Sequence, residues 1–306
     1  MNHRADYRRL LSRLGGEFQL DAARRVARTT ARDVTTVLVF MTINRANVAS
    51  LTASLATIPE PHAGLPGLPP DHLREPISIY EAAKRLCLPY ETARRHTKKL
   101  IDAGLCEAVK GGVIVPAKAI LKPELATMAG EAWNATVGFV QEVGRLGVIA
   151  SRSAQPSPDQ FQQVNRLVSA YCLDTACHMA SVIGHDPASA LILRAVNLAN
   201  VHHVIHDPEA ALSHAGLADV LPDDERRPIS VYTLAKDFHL PYETTRRILL
   251  RLEAEGLLRR QAGGLIVPLE VVTRPDIVTG ILDLVTMTET LLEDLAAVGL
   301  TYRPES

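Results

Sequence analysis

The segment from Pro76 to Pro116 reads PISIYEAAKRLCLPYETARRHTKKLIDAGLCEAVKGGVIVP, and the segment from Pro228 to Pro268 reads PISVYTLAKDFHLPYETTRRILLRLEAEGLLRRQAGGLIVP. They align without a gap at an offset of 152 residues, with 21 of 41 positions identical. A repeat of this length requires the same supersecondary unit to form twice, which restricts the chain more than any composition does. The likeness continues outside the two blocks. Lys122-Pro123 answers Arg274-Pro275 and Gly147 answers Gly299 at the same offset, and Asn44 to Val48 answers Asn197 to Val201 at 153. His62-Ala63-Gly64-Leu65 answers His214-Ala215-Gly216-Leu217. The 306 residues therefore divide into two units, 1–152 and 153–306, with the junction expected in SRSAQPSPD, Ser151 to Asp159.

Charge is distributed unevenly over this plan. The chain carries 33 basic and 34 acidic side chains, a net −1, which argues against coating nucleic acid by bulk charge. Residues 76–116 nevertheless hold a net +3 and residues 228–268 a net +2, leaving −6 on the remainder. With 47% hydrophobic and 22% charged residues the composition is that of a folded globular chain. The N-terminus is Arg-rich and lacks the apolar core of a signal peptide. The longest apolar runs, such as Val37 to Met41, fall far short of the roughly 20 residues of a membrane helix. Cys87, Cys106, Cys172 and Cys177 form no CxxC pair, which points to reduced thiols in a cytosol rather than disulfides or zinc. The expected location is the cytoplasm, on the nucleoid, with no membrane partner.

Apolar spacing predicts a mainly α chain. Ser157 to Ile183 carries helical periodicity and stops at Gly184, and Asp186-Pro187 reads as an N-cap with Pro at the first helical position of the next helix, to about Ile205. Asp33 takes the same place in the first unit. Pro/Gly-rich loops follow, Ile58 to Pro76 and Asp207 to Pro228, and long apolar helices are expected over Pro123 to Leu146 and Pro275 to Val298. Inside the repeated block, Ser78 and Glu81 form a capping-box pattern for a helix over Ile79 to Leu86. A turn through Cys87-Leu88-Pro89 (His239-Leu240-Pro241 in the copy) leads to a second helix from Tyr90 or Tyr242, ended by Gly104 or Gly256. Short apolar segments around Gly111-Gly112 and Gly263-Gly264 read as a β-hairpin, with Pro-Ile-Ser as at most an edge strand.

Helix, short turn, helix, hairpin, carried by LPYETARR…L…AGL…GG.IVP over about 41 residues in each half, resembles the DNA-binding domains of bacterial winged-helix transcription regulators. The resemblance implies two winged helix-turn-helix domains, each with a small β-hairpin wing, embedded in a helical pseudo-twofold body. The second helix of each block would then be a recognition helix. Periodicity turns Ala93, Thr97 and Leu100, and Thr245, Leu249 and Leu252, inward. The outward face is Tyr90, Glu91, Thr92, Arg94, Arg95 and Lys98, and in the copy Tyr242, Glu243, Thr244, Arg246, Arg247 and Arg251. Arg suits bidentate contact with guanine, Glu accepts from cytosine, and Thr and Tyr bind phosphate. Lys110 in the first wing and Arg259 and Arg260 in the second are candidate phosphate contacts.

The implied partner is double-stranded DNA with repeated half-sites, with further association of two chains left open. A replication initiator with tandem winged helices and a protein-interaction scaffold are the competing readings. A scaffold has no need to keep two Arg-Arg faces. His202, His203, His206 and Asp207 invite a metal reading, since i and i+4 share a helix face. The first unit has Ala49, Ser50, Ala53 and Ser54 there, which favours a His-rich helix end without a metal. Asn44/Asn47 and Asn197/Asn200 are expected to be buried hydrogen-bonding residues or part of a ligand pocket, and Trp133 core. No GxSxG, Walker loop or GxGxxG after a strand is present, so the sequence points to no enzyme and no cofactor.

Overall fold

The computed structural model describes residues 6–53, 68–149 and 159–304. The expected junction, apart from Asp159, and the repeated segment 62–65 lie outside them. The protein is mainly helical, with two small antiparallel hairpins. In the first unit α1 (Arg8–Thr30), α2 (Val34–Asn47) and α3 (Ala49–Ala53) precede the repeated block. The block contains α4 (Ile79–Arg85), α5 (Tyr90–Asp102), β1 (Glu107–Val109) and β2 (Gly112–Ile114), and α6 (Ala117–Ile120) and α7 (Pro123–Arg145) follow it. The second unit repeats this order with α8 (Gln160–Ile183), α9 (Pro187–Ile205) and α10 (Pro208–Ser213), then α11 (Val231–Asp237) and α12 (Tyr242–Ala254). It closes with β3 (Arg259–Gln261), β4 (Gly264–Ile266), α13 (Leu269–Val272) and α14 (Pro275–Ala297).

The helix starts follow from their caps. Asp33 accepts from Thr36 N–H at 2.9 Å and Asp186 from Ser189 N–H at 3.0 Å, each satisfying an orphan donor of the first turn. Ser78 and Ser230 do the same for α4 and α11 at 3.1 Å. Glu81 turns away from the capping box and pairs with Arg85 at 2.9 Å. Each hairpin gains a third partner through an isolated bridge, Ile77 to Val113 and Ile229 to Leu265. That approach requires the second glycine of each turn: a Cβ on Gly112 or Gly264 would run into the carbonyl of Ile77 or Ile229.

The two units interleave. α1 packs against α7 of its own unit and also against α9 and α14 of the other, while α8 packs on α9 and α14 and reaches back to α2 and α7. The buried residues of both halves form one cluster, including Leu10, Leu20, Ile43, Leu191 and Ile192, each at most 2% exposed. Burial of a side chain of that size stabilises by about 1.5–3 kcal/mol, so each half depends on the other for much of its core. The Arg-rich start of α1 is part of this interleaving. Buried Arg9 donates to Leu217 O at 2.5 and 3.1 Å, and Arg13 to His214 O at 3.0 Å. Trp133, expected in the core, is half-buried at its edge and packs beside Phe161, ring centres 5.8 Å apart.

Asn47 and Asn200 fasten the repeated blocks to this body. Both are fully buried near the ends of α2 and α9. Asn47 donates to Glu75 O at 2.7 Å and Val113 O at 3.1 Å and accepts from Val115 N–H at 2.8 Å. Asn200 donates to Arg227 O and Leu265 O at 2.8 and 3.1 Å and accepts from Val267 N–H at 2.9 Å. Of the two expectations for these asparagines, Asn47 and Asn200 meet that of the hydrogen-bonding clamp. Asn44 and Asn197, one turn earlier, line cavities.

Candidate nucleic-acid interface

α5 and α12 lie on their blocks with one apolar stripe inward. Ala93, Thr97 and Leu100, and Thr245, Leu249 and Leu252, are buried as their periodicity requires. The opposite flank faces solvent. Tyr90, Glu91, Arg94, Arg95 and Lys98 are exposed and Thr92 is half-buried, and the copy repeats this with Tyr242, Glu243, Arg246, Arg247 and Thr244. Both helices begin directly after a proline, Pro89 or Pro241, without a side-chain cap.

Local pairing divides these residues. Arg94 chelates Glu91 one turn back at 2.6 and 2.9 Å, and Arg246 meets Glu243 at 3.4 Å. Lys98 pairs with Asp102 at 3.0 Å. Arg95 and Arg247 make no hydrogen bond or ion pair within the described residues, so their guanidinium groups are already available to a partner. On the hairpins, Lys110 is exposed at the first turn. In the second hairpin Arg259 pairs with Asp223, and Arg260 with Glu253 at 3.1 Å.

Arg251 does not sit with this group. Its guanidinium donates to Asp186 at 3.2 Å and to Ser189 at 2.8 Å, at the start of α9. Its counterpart in register is Lys99, not Lys98, and Lys99 bonds Asp33 at 3.1 Å at the start of α2. The residue in line with Lys98 is Leu250, which is exposed. Each block thus presses its second long helix onto a capping aspartate of the body. In the first unit His96 joins this contact, its Nδ1 2.7 Å from Thr36 Oγ1 and 3.6 Å from Asp33. Burial pushes the His96 imidazole below its ordinary pKa, against the pull of Asp33. Burial alone would raise Asp33, but the Thr36 N–H, His96 and Lys99 together hold its carboxyl below the usual range.

Sequence reasoning missed two further solvent-facing residues. Tyr80 and Tyr232, in the first turns of α4 and α11, are 68% and 70% exposed. Their signal was available, since an aromatic residue kept in both copies at a non-core position is unusual in a chain with 4% aromatics.

The histidine cluster acquires a third member. Glu17 of α1 comes within 3.1 Å of His206, and the ligand atoms of Glu17, His202 and His206 all lie within 4.8 Å of one another. These three could hold a divalent ion, although the Glu17–His206 pair also satisfies both groups directly. His203 stands apart from the group, and Asp207 caps α10 by accepting from Glu209 and Ala210 N–H. All four cysteines are free thiols. No single helix among the described residues is long and apolar enough to cross a membrane. The apolar pair α8 and α9 meets at 90°.

Comparison of the chain with protein-family models, with curated proteins and with solved structures finds no match.

Proposed function

We propose that the protein is a sequence-specific regulator of transcription that binds double-stranded DNA through two winged helix-turn-helix modules in one chain. The observation that supports this best is the pair of solvent-facing Tyr-Glu-Thr-x-Arg-Arg flanks on α5 and α12, kept in both copies while neighbouring surface positions diverge. In this reading α5 and α12 are recognition helices. Arg95 and Arg247 supply bidentate contacts to guanine, each good pair discriminating by about 1–3 kcal/mol. Arg94 and Arg246 leave their glutamates for phosphate or base at little cost, because these ion pairs are exposed and screened by solvent. Glu91 and Glu243 are then free to accept from cytosine. Tyr80, Tyr232, Tyr90 and Tyr242 reach phosphates, and Lys110, Arg259 and Arg260 make the hairpins wings along the backbone. Arg251 and Lys99 hold the recognition helices on the body rather than reading bases. Two modules fixed in one pseudo-symmetric body suit an operator of two half-sites about one helical turn apart.

Selection of bound duplexes from a random library, followed by mobility shift on the selected site, tests the reading. The full chain should enrich one repeated half-site, and the double variant Arg95→Ala/Arg247→Ala should lose about 100-fold or more in affinity for it. The companion Arg94→Ala/Arg246→Ala should lose about tenfold and reduce the salt slope. No enriched sequence, or unchanged affinity in both double variants, overturns it.

A further inference from the structure

The duplication gives each unit the same cavity, and the two cavities have diverged. The first, of about 390 Å³, lies between α2, α7 and the second unit's α8, with Phe40, Met41, Ala129, Ala132, Phe161 and Val168 among its walls. Its partner lies between α9, α14 and α1 and is only about 80 Å³. The substitutions that separate them are identifiable in register. Ala129 and Ala132 on α7 answer Ile281 and Leu284 on α14, which fill the second cavity with branched side chains. Met41 answers Arg194, whose buried guanidinium crosses that cavity to Gln19 at 2.9 Å and Ser12 O at 3.1 Å. Gly16 provides the notch for it: a Cβ there would lie 2.6 Å from Arg194 Nε. The second cavity is therefore closed by a set of mutually fitted residues, while the first has been kept open by alanines.

The open cavity also contains one guanidinium nitrogen, Nη1 of Arg74, without a partner. Arg74 lines it with a fully buried side chain whose Nη2 donates to Pro69 O at 3.1 Å. Its Nε and Nη1 make no hydrogen bond, and Asp71 stands 3.4 Å from Nε. The equivalent Arg226 in the closed cavity uses Nη1 to reach Asn197 at 3.4 Å, whereas Asn44 accepts nothing from Arg74. Two other arginines line the open cavity, Arg25 and Arg166, 3.7 Å from Glu131 and 3.9 Å from Asp159 respectively. Among the described residues that line the cavity, none is acidic. A largely apolar space of a few hundred Å³ with a convergent polar group is the form of a small-molecule site.

We infer that the first-unit cavity binds a small apolar monocarboxylate, its hydrocarbon part against Met41, Ala129 and Ala132 and its carboxylate on Nη1 of Arg74. The second cavity is its closed and inactive counterpart. This assignment stands apart from the DNA reading, because it concerns a different surface and can be tested without DNA.

The probe is 2-naphthoate, titrated calorimetrically into the full chain, with 2-naphthylmethanol as its uncharged match. One equivalent of naphthoate per chain should bind, at least tenfold more tightly than the alcohol. Ala129→Ile/Ala132→Leu, which restores the second unit's residues, should weaken both probes at least 30-fold. Arg74→Met should weaken naphthoate at least tenfold and change the alcohol less than threefold, while Arg226→Met should leave both unchanged. Cooperative thermal melts verify folding, and should Arg74→Met not fold, the filled variant and the acid-to-alcohol ratio decide alone. Absence of naphthoate binding, binding that survives filling of the cavity, or equal affinity for acid and alcohol overturns the assignment.

Discussion

Replacing Asn47 or Asn200 by alanine should detach a hairpin from the body, and the structure fixes how much that costs. Asn47 serves three backbone groups, but they do not contribute equally. Glu75 is exposed, so its carbonyl can turn to water. Val113 O keeps a second donor, Ile77 N–H at 3.2 Å. Val115 N–H has only Asn47 Oδ1, and Val115 is 0% exposed. One fully orphaned buried donor costs about 1–3 kcal/mol, and loss of the packed side chain brings the sum to about 2–4 kcal/mol. Asn200 repeats each element: exposed Arg227, Leu265 O retained by Ile229 N–H at 3.1 Å, and Val267 N–H dependent on Asn200 alone. The repeat thus supplies its own replicate. Urea unfolding followed by far-UV circular dichroism should show a lowered midpoint and an unchanged slope in each variant, with costs equal to within about 1 kcal/mol. A loss under about 1 kcal/mol in both variants would refute the reasoning, because the buried amide would then have found another acceptor.

Other perturbations follow from the contacts between blocks and body. Because burial holds folded His96 below its ordinary pKa, the unfolded chain takes up the proton first. His96 therefore contributes stability above about pH 6.5 that is lost as the pH falls. His96→Ile, the residue at 248 in the second unit, should flatten the stability profile between about pH 7.5 and 5.5, and an unchanged slope would count against this origin. The depressed carboxyl of Asp33 works lower: its contribution is present above about pH 4 and lost below, and Asp33→Asn should remove that acid limb in the same titration. Lys99→Met and Arg251→Met, at partly exposed sites, should each cost only about 0.5 kcal/mol. Gly16→Ala should cost about 1–3 kcal/mol through Arg194, and a double-mutant cycle with Arg194→Met should recover part of it.

What could be read from the sequence was whatever depends on local chemistry and on the repeat. Capping residues Asp33, Asp186, Ser78 and Ser230, the helix stops at Gly104 and Gly256, and the Gly-Gly hairpin turns stand as expected, because each is decided within a few residues. Periodicity also separated the inward stripes of α5 and α12 from their outer flanks. It could not divide the outer flank further. Arg251 and Arg247 are both exposed cations one turn apart, and only the position of Asp186, brought in from a different helix, draws one of them to the body. The buried arginines of α1 were opaque for the same reason. Arg9 and Arg13 look like a solvated terminus until carbonyls some 200 residues away come to meet them. Glu17 likewise has no sequence neighbour that announces His206.

Interleaving of α1 with α9 and α14 has a consequence for biosynthesis. The helix is made well before these partners, which begin at Pro187 and Pro275. At about 5–20 residues per second, the stripe of α1 carrying Leu11, which shares a cavity wall with Leu292, Ala296 and Leu300, waits roughly 10–50 s for that covering surface to leave the ribosome. The nascent first unit thus stays an open half while the second unit is made, and final packing is delayed until α14 is released. During that interval the exposed stripe is suited to a chaperone or to the matching half of a neighbouring nascent chain, which makes translation rate a determinant of yield.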